Sequence, residues 1–72
     1  MEELSRIIIE EYCRKHNSAK SRRLARLVRM SYDLSAEFDD DDAIFLDKAI
    51  QSEKNDELRE ALEDLDDFMF GW

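Results

Sequence analysis

A chain of 72 residues with 19 Asp/Glu against 11 Lys/Arg carries a formal charge of −8, and it holds one cysteine, one glycine and no proline. At this length it makes a single domain with a thin core, burying about 60% of the surface its unfolded form exposes. One cysteine excludes an intrachain disulfide, and the run Ile7, Ile8, Ile9 is far too short for a signal-peptide core or a membrane span, so a soluble, cytoplasmic, self-associating protein is the expectation.

With loop-forming residues almost absent and Leu, Ala, Glu, Lys and Arg plentiful, the fold class is all-α: three to four short helices in antiparallel hairpins, a small helical bundle. Apolar periodicity predicts helices over about 2–15, 19–33, 41–52 and 56–69. The first places Leu4, Ile7, Ile8 and Tyr12 on its apolar face. Asn17 or Ser18 can cap the second, whose narrow apolar face is Leu24, Leu27, Val28 and Ser31. At about 100° per residue, Arg22, Arg23, Arg26 and Arg29 fall opposite that face.

The third segment carries Phe45, Leu46, Ala49 and Ile50 behind four consecutive acids, Asp39, Asp40, Asp41 and Asp42. Four consecutive helical residues spread over about 300°, so one or two of these acids would face the side of Phe38 and Phe45. Because an unpaired buried carboxylate is costly, Asp39 and Asp40 are expected ahead of the helix and Asp41 and Asp42 in its first turn, where they complement the helix dipole. Asn55 caps the fourth segment, and Leu58, Leu62, Leu65, Met69 and Trp72 recur at spacings of 4, 3, 4 and 3, a seam suited to helix pairing.

No catalytic signature emerges. There is no glycine-rich phosphate loop and no nucleophile with an orienting histidine, and the chain is too short to enclose a pocket. Read as a calcium loop, the aspartates lack the central glycine and place Ile44 or Phe45 among the ligands. Cys13 and His16 stand three apart on the first helix, but no other Cys or His exists to complete a zinc site within one chain. No metal, cofactor or enzymatic activity is expected.

Charge is the informative feature. Residues 1–33 hold eight Lys/Arg against five acids, a net of +3, while residues 34–72 hold three against 14, a net of −11. Such a split points to an electrostatic partner, either another chain or the protein's own other half. The stretch RRLARLVRMSYDLSAEF, residues 22 to 38, resembles a helix-turn-helix of the phage-repressor kind over about a quarter of the chain, through Ala25, Ser31 and Glu37. That resemblance implies a DNA-binding regulator. Arg29 stands in place of the turn glycine, however, Ser35 in place of a buried branched residue, and Asp33, Glu37 and the four aspartates would meet phosphates with negative charge.

On the fourth segment Glu53, Asp56, Glu57, Glu60, Glu63, Asp64 and Asp67 fall within an arc of about 120° opposite the apolar seam. Like-charge neighbours at i, i+4 each destabilise a helix by about 0.2–0.5 kcal/mol, so a merely solvated face would intersperse lysines. If both seams meet in the core, the acidic and basic stripes point away from each other. The leading expectation is a small acidic regulator or inhibitor whose tetra-aspartate and fourth-helix stripe engage a basic, nucleic-acid-binding site on a partner protein, as a DNA mimic does. The alternatives are a DNA-binding regulator using Arg22, Arg23, Arg26 and Arg29, and a homo-oligomeric assembly module. Phe68, Phe70 and Trp72 are expected to serve a homodimer contact.

Overall fold

A side chain closes the start of every helix but the first. Four helices follow in order: α1 Glu3–Lys15, α2 Ala19–Ser31, α3 Asp40–Ser52 and α4 Asp56–Phe70. Ser18 accepts a hydrogen bond from the Ser21 N–H, Asp39 from that of Asp42 and Asn55 from that of Leu58, each satisfying an amide that the helix leaves without a partner. The computed structural model describes residues 1–33 and 35–71. Trp72, expected in the seam and in a dimer contact, lies outside them.

The tetra-aspartate begins its helix one residue earlier than expected. Asp39 is the cap, Asp40, Asp41 and Asp42 form the first turn, and the Asp42 carboxylate accepts from the Asp39 N–H to complete a capping box.

The helices run alternately up and down. Glu2, ahead of α1, is bonded to Asp64 on α4, while His16 beyond the end of α1 shares a cleft with Asn55 ahead of α4, so these two helices are antiparallel. Phe38 meets Phe70 at the other end, which sets α3 antiparallel to α4. α4 packs against all three other helices, most extensively against α1. The backbones of α2 and α3 approach each other at few points. Long side chains bridge that gap.

The core is Ile9 of α1, Leu24, Leu27 and Val28 of α2, Leu46 and Ala49 of α3, and Leu58, Ala61, Leu62 and Leu65 of α4. The seam of α4 and the apolar face of α2 are therefore as the spacing predicted, with Met69 and Ser31 half-buried at their ends. The face of α1 is not. Ile9 is fully buried and Tyr12 and Cys13 flank it, whereas Leu4 is 65% and Ile7 42% exposed. Three consecutive isoleucines leave the helical phase ambiguous, and the hairpin into α2 fixes it by turning Cys13 toward Ser21.

Ile9→Ala is expected to cost about 2–5 kcal/mol, and Leu4→Ala under about 0.5 kcal/mol, in urea unfolding. Equal costs would show that α1 buries its other side.

Candidate binding surfaces

The arginines of α2 do not form one outward stripe. Asp42 is 2% exposed, and its Oδ1 lies 3.4 Å from Arg23 Nη2 and 3.6 Å from Arg26 Nη2. The Arg23 guanidinium also sits 4.4 Å from the centroid of the Phe45 ring, a cation–π contact one turn along α3. Lys20 extends the same bridge to Glu53 at 3.9 Å. Arg22 donates to Asn17 Oδ1 at 3.3 Å, and Arg29 remains exposed at the other end of the helix. Two of the four arginines proposed as a basic surface are thus held by α3, a counterpart the sequence reading did not consider.

Among the described residues the stretch 22–38 does not form the helix-turn-helix it resembles. Of the residues between Ser31 and Asp40, positions 32, 33 and 35–39 are described and none is helical, so no second helix follows directly behind α2. The next helix opens on acids.

The proposed acidic surface divides. Asp42 is withdrawn from solvent, a position the expectation of an unpaired carboxylate had ruled against; it is tolerated because the two arginines pair it. Glu53 caps the C-terminal end of α3 instead of joining the α4 arc, and its partner is Lys20. Asp56 is paired with Arg59 at 2.8 Å. Asp64 is half-buried, accepting from the Glu2 N–H at 2.9 Å, so α4 stabilises the otherwise uncapped start of α1. Glu57, Glu60, Glu63 and Asp67 are exposed, and among the described residues none has a Lys or Arg within ion-pair distance. Asp39, Asp40 and Asp41 are exposed at the head of α3.

Acids of α3 and α4 also feel one another. Burial first, then Asp67 and Asp47, push the Asp66 carboxyl above the usual aspartate range. The hydrogen bond from the Glu2 N–H holds Asp64 below it.

Of the aromatics assigned to self-association, Phe70 is half-buried and packs edge-on against Phe38 at 5.7 Å. Phe68 is 49% exposed and lies 6.2 Å from Tyr32, which is 53% exposed, so of the described aromatics assigned to self-association it is Phe68 that stays accessible. The two residues once weighed as metal ligands are otherwise engaged. Cys13 Sγ donates to the Ser21 carbonyl at 3.2 Å, with burial pushing its thiol up and so away from the reactive thiolate, and the His16 ring stacks on Tyr12 at 4.5 Å.

Besides the cleft shared by His16 and Asn55, two larger grooves border α1 among the described residues. One of about 560 Å³, between the start of α1 and the end of α2, is lined by Met1, Arg6, Glu10, Val28, Arg29 and Tyr32. Its charges are largely matched, since Arg6 is paired with Glu3 and Glu10. The other, of about 470 Å³, lies between α1 and α4 with Leu4, Ile8 and Ala61 among acids. Sequence reasoning missed this groove because it assigned Leu4 to the core. No family model, curated protein or solved structure matches the chain.

Asp64 and Asp66 act with opposite signs. Asp64, depressed in the folded state, contributes stability above its unfolded value of about 3.9 that is lost as pH falls through its folded value. Asp66, raised in the folded state, contributes stability below about 3.9 that is lost as pH rises through its folded value. In an NMR titration of the carboxyl carbons, Asp64 is expected to titrate below Asp66. The reverse order would show that Asp64 does not hold the Glu2 amide.

Proposed function

We propose that this is a non-enzymatic acidic binding protein, a small cytoplasmic regulator or inhibitor that occupies a basic, nucleic-acid-binding site on a partner protein. The observation that carries the reading is the outer face of α4, where Glu60, Glu63 and Asp67 stand exposed with no Lys or Arg within ion-pair distance among the described residues. Each like-charge pair at i, i+4 on this face costs the helix about 0.2–0.5 kcal/mol, a cost that a basic partner would offset. Carboxylates spaced along a rigid helix present phosphate-like charge and steer the encounter.

The alternative of DNA binding through α2 is weakened by the same charges. Arg23 and Arg26 would have to leave Asp42 to reach phosphates, and that would strand a buried carboxylate. Arg22 and Arg29 alone make few phosphate contacts against a net charge of −8.

Changing Glu60 and Glu63 to glutamine tests the reading. The isolated variant is expected to gain a few tenths of a kcal/mol per relieved pair, while its association with the basic partner captured from nuclease-treated lysate slows at low salt, mainly in the on-rate. A stabilised variant whose association rate at low salt is unchanged would refute the proposal. Capture of nucleic acid only when nuclease is omitted would favour DNA binding instead.

A further inference from the structure

α1 carries more apolar surface than the core takes up. Ile9 is fully buried, yet Leu4 and Ile7, neighbours at i, i+3, stay 65% and 42% exposed, and Ile8 is half-buried between them and α4. Leu4 and Ile8 form one side of the groove of about 470 Å³, and Ala61 of α4 lies on the other. Ala61 is 2% exposed and belongs to the core, so it forms the floor of the groove while Leu4 and Ile8 supply its accessible apolar surface.

Acids line this groove. Along α4 they are Glu57, Glu60 and Asp64, at successive spacings of three and four, with Glu2 on the α1 side. Among the described residues none of the three α4 acids has a Lys or Arg within ion-pair distance. Asp64 is held ionised by the Glu2 N–H, with the Ser5 side chain assisting. Their spacing follows one helical edge over about two turns, roughly 10 Å. A partner helix laid along the groove would meet these acids with Lys or Arg at the same spacing while its apolar side chains enter between Leu4, Ile8 and Ala61.

We infer that the α1–α4 groove docks a basic amphipathic helix of a partner protein, with Leu4 and Ile8 receiving an apolar anchor above the buried Ala61 and Glu57, Glu60 and Asp64 pairing its flanking cations. This rests on the acidic-surface reading and narrows it. The apolar floor gives affinity, and the acidic edge sets which sequences enter and in which direction. The mixed charges of the groove beside Arg6 and Arg29 offer no such single sign.

The test uses the full chain, isotope-labelled for NMR, and two synthetic helix-forming peptides of about 18 residues, or five turns. One carries a leucine stripe flanked by arginines, and the other has the same arginines with each leucine changed to glutamine. The leucine peptide is expected to shift the amides around Leu4, Ile8 and Ala61, and to bind about tenfold more tightly than the glutamine peptide. Leu4→Gln is expected to remove about that tenfold advantage while leaving the spectrum of the free protein folded. Binding that ignores both changes, with shifts centred on Glu63 and Asp67, would overturn the groove and leave the acidic-surface reading standing. No binding of either peptide at low salt would count against both. Concentration-dependent shifts at Leu4 and Ile8 without peptide would make a second copy of the chain the occupant, and would overturn the proposal.

Discussion

Asp42 places a carboxylate out of water, 2% exposed, in a domain too small to tolerate an unpaired one, and the joining of α2 to α3 turns on how it is held. Its carboxylate serves the head of α3 through the capping box and at the same time reaches Arg23 and Arg26 across the gap to α2. Removing a partner from a buried ion pair leaves a desolvated charge, a larger penalty than the modest gain of an exposed pair. α2 and α3 have little backbone contact, so this pairing, with Arg23 over Phe45 and Lys20 near Glu53, does for them what close apolar packing does for α1 and α4. The arginine stems also cover the apolar edge of the gap while their heads stay partly wet.

This use of α2 determines what remains at the surface. The basic first half of the chain and the acidic second half do meet, but at the start of α3 and not along α4. α4 packs against all three other helices, most extensively against α1, and carries its exposed acids on that support. Six of the cations are held elsewhere, Arg23 and Arg26 by Asp42, Lys20 by Glu53, Arg6 by Glu3 and Glu10, Arg14 by Glu11 and Arg59 by Asp56, and among the described residues no Lys or Arg lies within ion-pair distance of Glu57, Glu60, Glu63 or Asp67. The consequence is that the acids of the outer α4 face, Glu60, Glu63 and Asp67, stay exposed while the middle of the basic helix is taken up by α3.

Helix positions and caps were legible because each has a local cause. Ser18, offered beside Asn17, and Asn55 cap as expected, the α3 cap fell one residue earlier at Asp39, and Leu58, Leu62 and Leu65 repeat at a helical spacing. What could not be read locally was phase and pairing. Ile7, Ile8 and Ile9 fit two helical faces equally well, and only the packing of α1 on α2 and α4 selects Ile9. Asp42 stands four residues before Leu46 and seven before Ala49, which does mark it as inward-facing, but the arginines that make this tolerable lie 16 and 19 residues earlier in the chain. Glu53 was counted with α4 by angle although its helix had not begun there, and the break at Lys54 and Asn55 gave it to α3 and Lys20 instead. Of the acids assigned to the α4 face, Asp56, Glu57, Glu60, Glu63 and Asp67 are exposed and Asp64 is half-buried; the groove beside them was not foreseen, because it exists only once Leu4 is known to be left out of the core.

The most direct test of this account is a double-mutant cycle between Asp42 and Arg23, using Asp42→Asn and Arg23→Gln, with Asp41→Asn and Arg23→Gln as the control cycle, read by urea unfolding. The account predicts a coupling of about 1 kcal/mol or more for Asp42 with Arg23, and for Asp41 a coupling within about 0.3 kcal/mol of zero. Equal, near-zero couplings in both cycles would contradict it, since Asp42 would then be one more solvated acid and the joining of α2 to α3 would need another cause.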